Sequence, residues 1–226
     1  MPTIRDNLLV LRQRIGATCV KIKRDPATIT LVAVAKNRST PEIREALEAG
    51  ITDIGENRVQ EAVIKYQELS TPNLAARAIR WHLVGHLQTN KVREAVRIFD
   101  FIHSVDSLRL AQEIDKQAAR LKKVQDILIE VNTSGEASKF GVHPKEAAAL
   151  IKEACGLVNI KVRGFMTIAP IVDDPEKARP YFRMLKELKD KINQLTILSM
   201  GMTGDFEVAI EEGADIIRLG RAIFEG

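Results

Sequence analysis

The chain has 226 residues, 34 basic against 30 acidic side chains and 45% hydrophobic residues, with a formal net charge of +4. That length exceeds an ordinary domain and suits one α/β barrel, which runs to ~250 residues around a single core. The mild charge, with no basic run or aromatic-interleaved stripe, argues against nucleic-acid binding. No stretch approaches the ~18 uncharged apolar residues of a membrane span, and Met1–Asp6 lacks the apolar segment of a signal peptide, so a cytoplasmic location is expected.

In chain order, Ile4, Leu8, Leu11, Ile15 and Ile22 recur at helical spacing, so residues 3–23 are predicted to form an amphipathic helix within an N-terminal segment, 1–25, packed on the barrel. Asp25-Pro26 ends it, because the residue before proline is pushed out of the helical region. Eight apolar runs then alternate with helical patterns, predicting strands at about 29–35, 52–54, 80–85, 100–105, 126–132, 160–166, 195–200 and 215–219. Ser39-Thr40-Pro41-Glu42 and Asp173-Asp174-Pro175-Glu176 each combine a capping side chain, an early proline and an acid in the first turn. Pro180, inside the pattern that follows, is expected to kink that helix or split off its first turn. Cys19 and Cys155 form no CxxC pair and no metal-ligand spacing; both are expected to be buried packing residues in helices, and no metal is assigned.

Eight strands in βα order predict a single (β/α)8 TIM-type barrel domain over residues 1–226, with strands apolar on both faces, as in Leu31-Val32-Ala33-Val34-Ala35. The alternative, an open doubly wound sheet, is opposed by the absence of G-x-G-x-x-G after the first strand. Chemistry in such barrels lies at the carboxyl ends of the strands. Those ends present Lys36; Glu56 and Asn57; His82 and His86; Ser104 and Asp106; Asn132; Met166 and Thr167; Ser199; and Arg218. Taken singly, Lys36 reads as a lysine leaving for solvent and His82 as a satisfied core histidine. Yet a primary amine at the exit of a buried strand can be desolvated, which supplies the free amine that attacks a carbonyl. The run Ser199-Met200-Gly201-Met202-Thr203-Gly204-Asp205 offers a glycine turn, hydroxyl donors and a helix starting near Thr203. It stands at the seventh strand, next to Arg218-Leu219-Gly220, where this fold usually binds phosphate.

At these residues the sequence resembles the pyridoxal phosphate homeostasis protein family, relatives of the amino-terminal barrel of bacterial alanine racemase. The resemblance is carried over nearly the whole chain. It includes Leu31–Lys36, Ile54–Glu61, Trp81–Lys91, Glu130-Val131-Asn132 with Glu136, Lys139 and Gly141, Gly164-Phe165-Met166, Leu198–Met202 and Arg218-Leu219-Gly220. It implies a monomeric fold-type III barrel lacking the racemase's second β domain. Pyridoxal 5′-phosphate (PLP) would be bound as a Schiff base on Lys36, with its phosphate on Ser199, Gly201, Thr203 and the backbone around Met200, and Gly220 nearby. Asn57, His82 and Met166 would line the ring, and Arg218 would approach either the pyridine nitrogen or the phosphate. The implied role is intracellular vitamin B6 homeostasis and amino-acid/keto-acid balance, with transient contact to PLP apo-enzymes or a regulatory protein.

Turnover is not expected. Racemisation needs a second proton donor on the far face of the ring. The chain ends eight residues after Arg218, which leaves no second domain to provide it, and Tyr66 and Tyr181 fall in helical patterns away from the strand ends. The alternatives are a slow PLP-dependent racemase or decarboxylase, a cofactor-free Schiff-base aldolase using Lys36, and an interaction protein with a vestigial site.

Overall fold

A computed structural model of the chain describes residues 2–70, 79–192 and 195–226. Within them eight parallel strands close on themselves in sequence order. They are β1 (Thr30–Val34), β2 (Asp53–Glu56), β3 (Arg80–Leu83), β4 (Phe101–Val105), β5 (Gln125–Glu130), β6 (Ile160–Met166), β7 (Ile197–Ser199) and β8 (Ile216–Leu219). Closure is made by β1 on β8, paired from Thr30 with Ile216 to Ala33 with Leu219. The open-sheet alternative is thereby excluded, and all eight predicted strands are present within a few residues of their expected bounds.

The helices among the described residues are α1 (Ile4–Lys21), α2 (Thr40–Glu48), α3 (Val59–Leu69), α4 (Val92–Ile98), α5 (Leu108–Arg120), α6 (Pro144–Ala154), α7 (Arg179–Asp190), α8 (Phe206–Glu211) and α9 (Arg221–Phe224). Their starts follow the local chemistry. Thr3 and Asp6 exchange hydrogen bonds in a capping box at α1, as Ser39 and Glu42 do at α2. Asp174 accepts from the Glu176 N–H ahead of a 3-10 turn, Pro175–Ala178, and α7 begins afresh at Arg179 with Pro180 in its first turn. The expected splitting therefore occurs, because proline lacks the N–H that a continuous helix would need there. Cys19 is buried, but Cys155 is exposed, which corrects the expectation for it: it terminates α6 on the solvent side.

The main core lies between the strands and the helices. A smaller cluster of Val32, Phe101, Leu128, Met166 and Ile216 fills the inward face of five strands. This is the two-sided burial that makes parallel strands read as continuous apolar runs. Helix α1 buries Ile4, Leu8, Leu11, Ile15 and Cys19 and packs against α2, α8 and α9. Asn7 donates to the Ile223 carbonyl (3.0 Å) and Arg14 forks onto Glu207 (3.0 Å to each oxygen). The amino-terminal helix thus braces the last two helices, which carry the turns around the carboxyl ends of β7 and β8.

Candidate functional site

A cavity of about 610 Å3 opens at the carboxyl ends of β1, β2 and β8. Such a volume falls within the ~300–1,000 Å3 span of small-molecule and cofactor pockets. Val34, Lys36, Asn57 and Val84 form one wall. Met202, Thr203, Gly204 and Asp205 form a second, and Arg218, Gly220 and Arg221 a third. Ile168, Pro170, Ile171 and Val172, from the loop after β6, supply an apolar rim.

Lys36 lies two residues beyond the last residue of β1, where Asn37 turns the chain with a φ of +58°. Its side chain is exposed rather than desolvated, contrary to the expectation for the end of a buried strand. The cause is that turn, which carries the residue clear of the sheet. It also borders an adjoining hollow that includes Asn57, His86 and Lys91, so the amine is reached from two sides. Its backbone is held from behind by a buried clasp: Lys65 Nζ donates to Glu56 Oε1 and to the Ala35 carbonyl, both at 2.7 Å. Burial pushes the Glu56 carboxyl up from its ordinary value, and the Lys65 ammonium partly offsets that.

The turn after β7 is built by two residues. Gly201 has φ +94°, and a Cβ there would lie 2.6 Å from the Ala209 Cβ, so only glycine lets the chain reverse against α8. Asp205 Oδ1 accepts the Met202 N–H at 2.6 Å and closes the turn. The helix consequently starts at Phe206, not near Thr203 as predicted. Thr203 and Gly204 stay in the turn, facing the cavity. Gly220 lies opposite; a Cβ on it would come within 3.2 Å of the Val34 carbonyl, along the wall it shares with Lys36.

Arg218 is buried, with Nη1 donating to Ser199 Oγ and Nη2 to the Thr167 carbonyl, both at 2.9 Å. Loss of hydration lowers its pKa to about 10, opposed by the carboxyls of Asp205 and Glu130. Glu130 itself is pushed up to about 7, first by burial and then by Asp106, against the pull of Arg218.

Of the expected site residues, Lys36, Asn57, Thr203, Arg218 and Gly220 therefore meet around one cavity. Five do not line it. Met166 belongs to the inward apolar cluster, and Met200 and Gly201 sit behind the turn. The Ser199 hydroxyl turns inward to Arg218 and His103 instead of toward the loop. His82 lies below the cavity between Asp53 Oδ1 and His103, each at 2.9 Å. Sequence reading passes over His103, Asp53 and Lys65. For His103 a signal exists: period-two alternation in β4 puts it on the same face as Phe101. Nothing in the sequence pairs Lys65 with Glu56. Among the described residues no cluster of His, Cys, Asp and Glu has the arrangement of a metal site, and no helix is long and apolar enough to cross a membrane.

The alanine racemase N-terminal domain family matches residues 1–226. A pyridoxal phosphate homeostasis protein of Aquifex aeolicus is 44% identical over 217 residues, covering 94% of this chain and 93% of the relative. The chain belongs to the pyridoxal phosphate homeostasis protein family. Another member, PipY of Synechococcus elongatus PCC7942, has a structure solved with PLP bound. It superposes with a TM-score of 0.79 at 36% identity, covering 93% of this chain and 99% of that one. Alanine racemase of Clostridium difficile 630 shares the fold alone. At a TM-score of 0.77 and 16% identity, the homeostasis-family chain is covered to 98% but the racemase only to 58%.

Proposed function

We propose that this chain binds PLP covalently through Lys36 Nζ in the cavity at the carboxyl ends of β1, β2 and β8, and that it acts in PLP homeostasis without turnover. The observation that carries the reading is the convergence on one cavity of Lys36, a glycine-bearing turn and a buried arginine, in a member of a family in which PipY binds PLP. When bound, PLP supplies an aldehyde that condenses with a primary amine, releasing water, together with an anionic phosphate. The residues fit both ends. Lys36 would provide the amine, the backbone of Met202–Gly204 and Gly220 would allow close approach of the phosphate, and Asn57 would border the ring. Arg218, tied below the rim to Ser199 and Thr167, is assigned to the ring side. There its positive charge would disfavour a proton on the pyridine nitrogen and so weaken the electron sink that carbanion chemistry needs.

Three features favour holding and exchange over catalysis. No tyrosine or histidine lines the cavity among the described residues. Tyr66 packs edge-on against Trp81 from α3, and Tyr181 belongs to α7. The exposure of Lys36 leaves the amine open to competing amines from solvent. A monomer in the cytoplasm, exchanging PLP with apo-enzymes, is the setting this reading implies. Titration of the protein with PLP should produce a visible absorbance band that Lys36→Ala abolishes, with no D-amino acid formed at ordinary enzyme rates of ~1 s⁻¹ or more. Racemisation at such rates would overturn the non-catalytic reading, and absence of the band would remove PLP binding itself.

A further inference from the structure

We propose that Asp53, at the amino-terminal mouth of the barrel, is a positioning residue for the site at the opposite mouth. Acting through His82, His103 and Ser199, it fixes the direction of the hydrogen bonds that hold Arg218. Four links of 2.9 Å connect them: Asp53 Oδ1 to His82 Nε2, His82 Nδ1 to His103 Nε2, His103 Nδ1 to Ser199 Oγ, and Ser199 Oγ to Arg218 Nη1. His82, His103, Ser199 and Arg218 are each at least 95% buried, so along that stretch water does not substitute for a missing partner.

The two ends specify the same polarity. Asp53 also receives Arg80 Nη2 at 2.8 Å and the Thr52 hydroxyl at 2.6 Å, an environment that keeps it a carboxylate and therefore an acceptor only. His82 must then carry a hydrogen on Nε2, and with a single ring hydrogen Nδ1 is its accepting atom. His103 accordingly donates from Nε2 and accepts at Nδ1, and burial keeps that ring neutral. Ser199 gives its single O–H to His103, leaving oxygen lone pairs for Arg218, a residue that only donates. The reverse order would have Ser199 accept from both neighbours and leave its own hydrogen unpaired in a dry interior. The second guanidinium bond, to the Thr167 carbonyl, then fixes the plane of the group. Asp53 and Arg80 line a separate hollow of about 510 Å3 at the amino-terminal mouth, so the chain of bonds spans the barrel interior. The arrangement stands whether or not PLP binds; only its consequence for PLP rests on the function proposed above.

The test is long-range 1H–15N correlation spectroscopy of histidine- and arginine-labelled protein, without PLP, at pH 8. Hydrogens on Nε2 of both His82 and His103 are expected. A hydrogen on Nδ1 of His103, or a doubly protonated His82, would overturn the proposal without any variant being made. Asp53→Asn, which removes the charge, is expected to mix the tautomers at His103 and shift the Arg218 guanidinium resonances; unmoved signals at both would refute the coupling. Should that variant fail to fold, Ser199→Ala decides: both rings are expected to keep hydrogen on Nε2, and a reversal would place control at the Arg218 end. In PLP titrations Asp53→Asn is expected to weaken binding about tenfold, equivalent to 1.4 kcal/mol. Wild-type protein that took up no PLP would sink the cofactor reading and leave the tautomer result standing.

Discussion

Lys36 owes its position to neighbours that lie outside the cavity lining. The Lys65 ammonium bridges Glu56 and the carbonyl just before Lys36, while Glu56 Oε2 is buried without a partner. Breaking such a pair by removing one member leaves a charge uncompensated in the interior, at a cost of roughly 3–5 kcal/mol. Lys65→Met should therefore lose stability on that scale in urea denaturation and slow PLP uptake at Lys36. Loss of less than about 1 kcal/mol would mean the clasp is not structural. Glu130 yields a pH prediction. Its carboxyl sits at about 7 in the fold against an ordinary 4.5, so the native state holds that proton more tightly than the unfolded chain. Stability from this group is complete below about 4.5, declines as pH rises toward about 7, and is flat beyond. The decline should be on the order of 3 kcal/mol. Glu130→Gln should remove it, a difference measurable by chemical denaturation at pH 4.5 and 7.5.

At the scale of elements, the turn joining β7 to α8 is the most constrained backbone of the site. Gly201→Ala must fit a methyl 2.6 Å from the Ala209 Cβ at a φ of +94°. Strain of about 1–3 kcal/mol is expected, together with weaker phosphate binding, measurable as a lowered Tm and a raised Kd for PLP. The legibility of the chain divides at this scale. Strands such as β1 and β5 were readable because burial on both faces writes continuous apolar runs, and capping pairs such as Ser39 with Glu42 are local in sequence. The start of α8 was not, because Asp205 folds back on Met202 through a side-chain hydrogen bond that propensity does not encode. Lys36, Asn57, Thr203, Arg218 and Gly220 reach the cavity because strand ends locate them. His82 and Ser199 occupy strands just as expected, yet their side chains turn into the barrel. Their partners, His103 and Arg218, come from other strands and are fixed only by the register of the closed sheet.

At the scale of the whole molecule, function depends on closure. Pairing of β1 with β8 brings Lys36 and Arg218 to one cavity, and α1 holds α8 and α9 against that seam. Leu8 is 1% exposed within this brace. Leu8→Ala should cost about 2–5 kcal/mol and, by loosening α9, weaken PLP binding although the residue lies outside the cavity. Equal PLP affinity in the folded variant would show that the brace serves stability alone. The central claim, covalent attachment of PLP at Lys36, is tested most directly by borohydride reduction of the PLP-treated protein followed by peptide mapping. The account predicts a reduced pyridoxyl group on Lys36 in stoichiometric yield and on no other lysine. Labelling spread over surface lysines, or an unmodified Lys36, would contradict it.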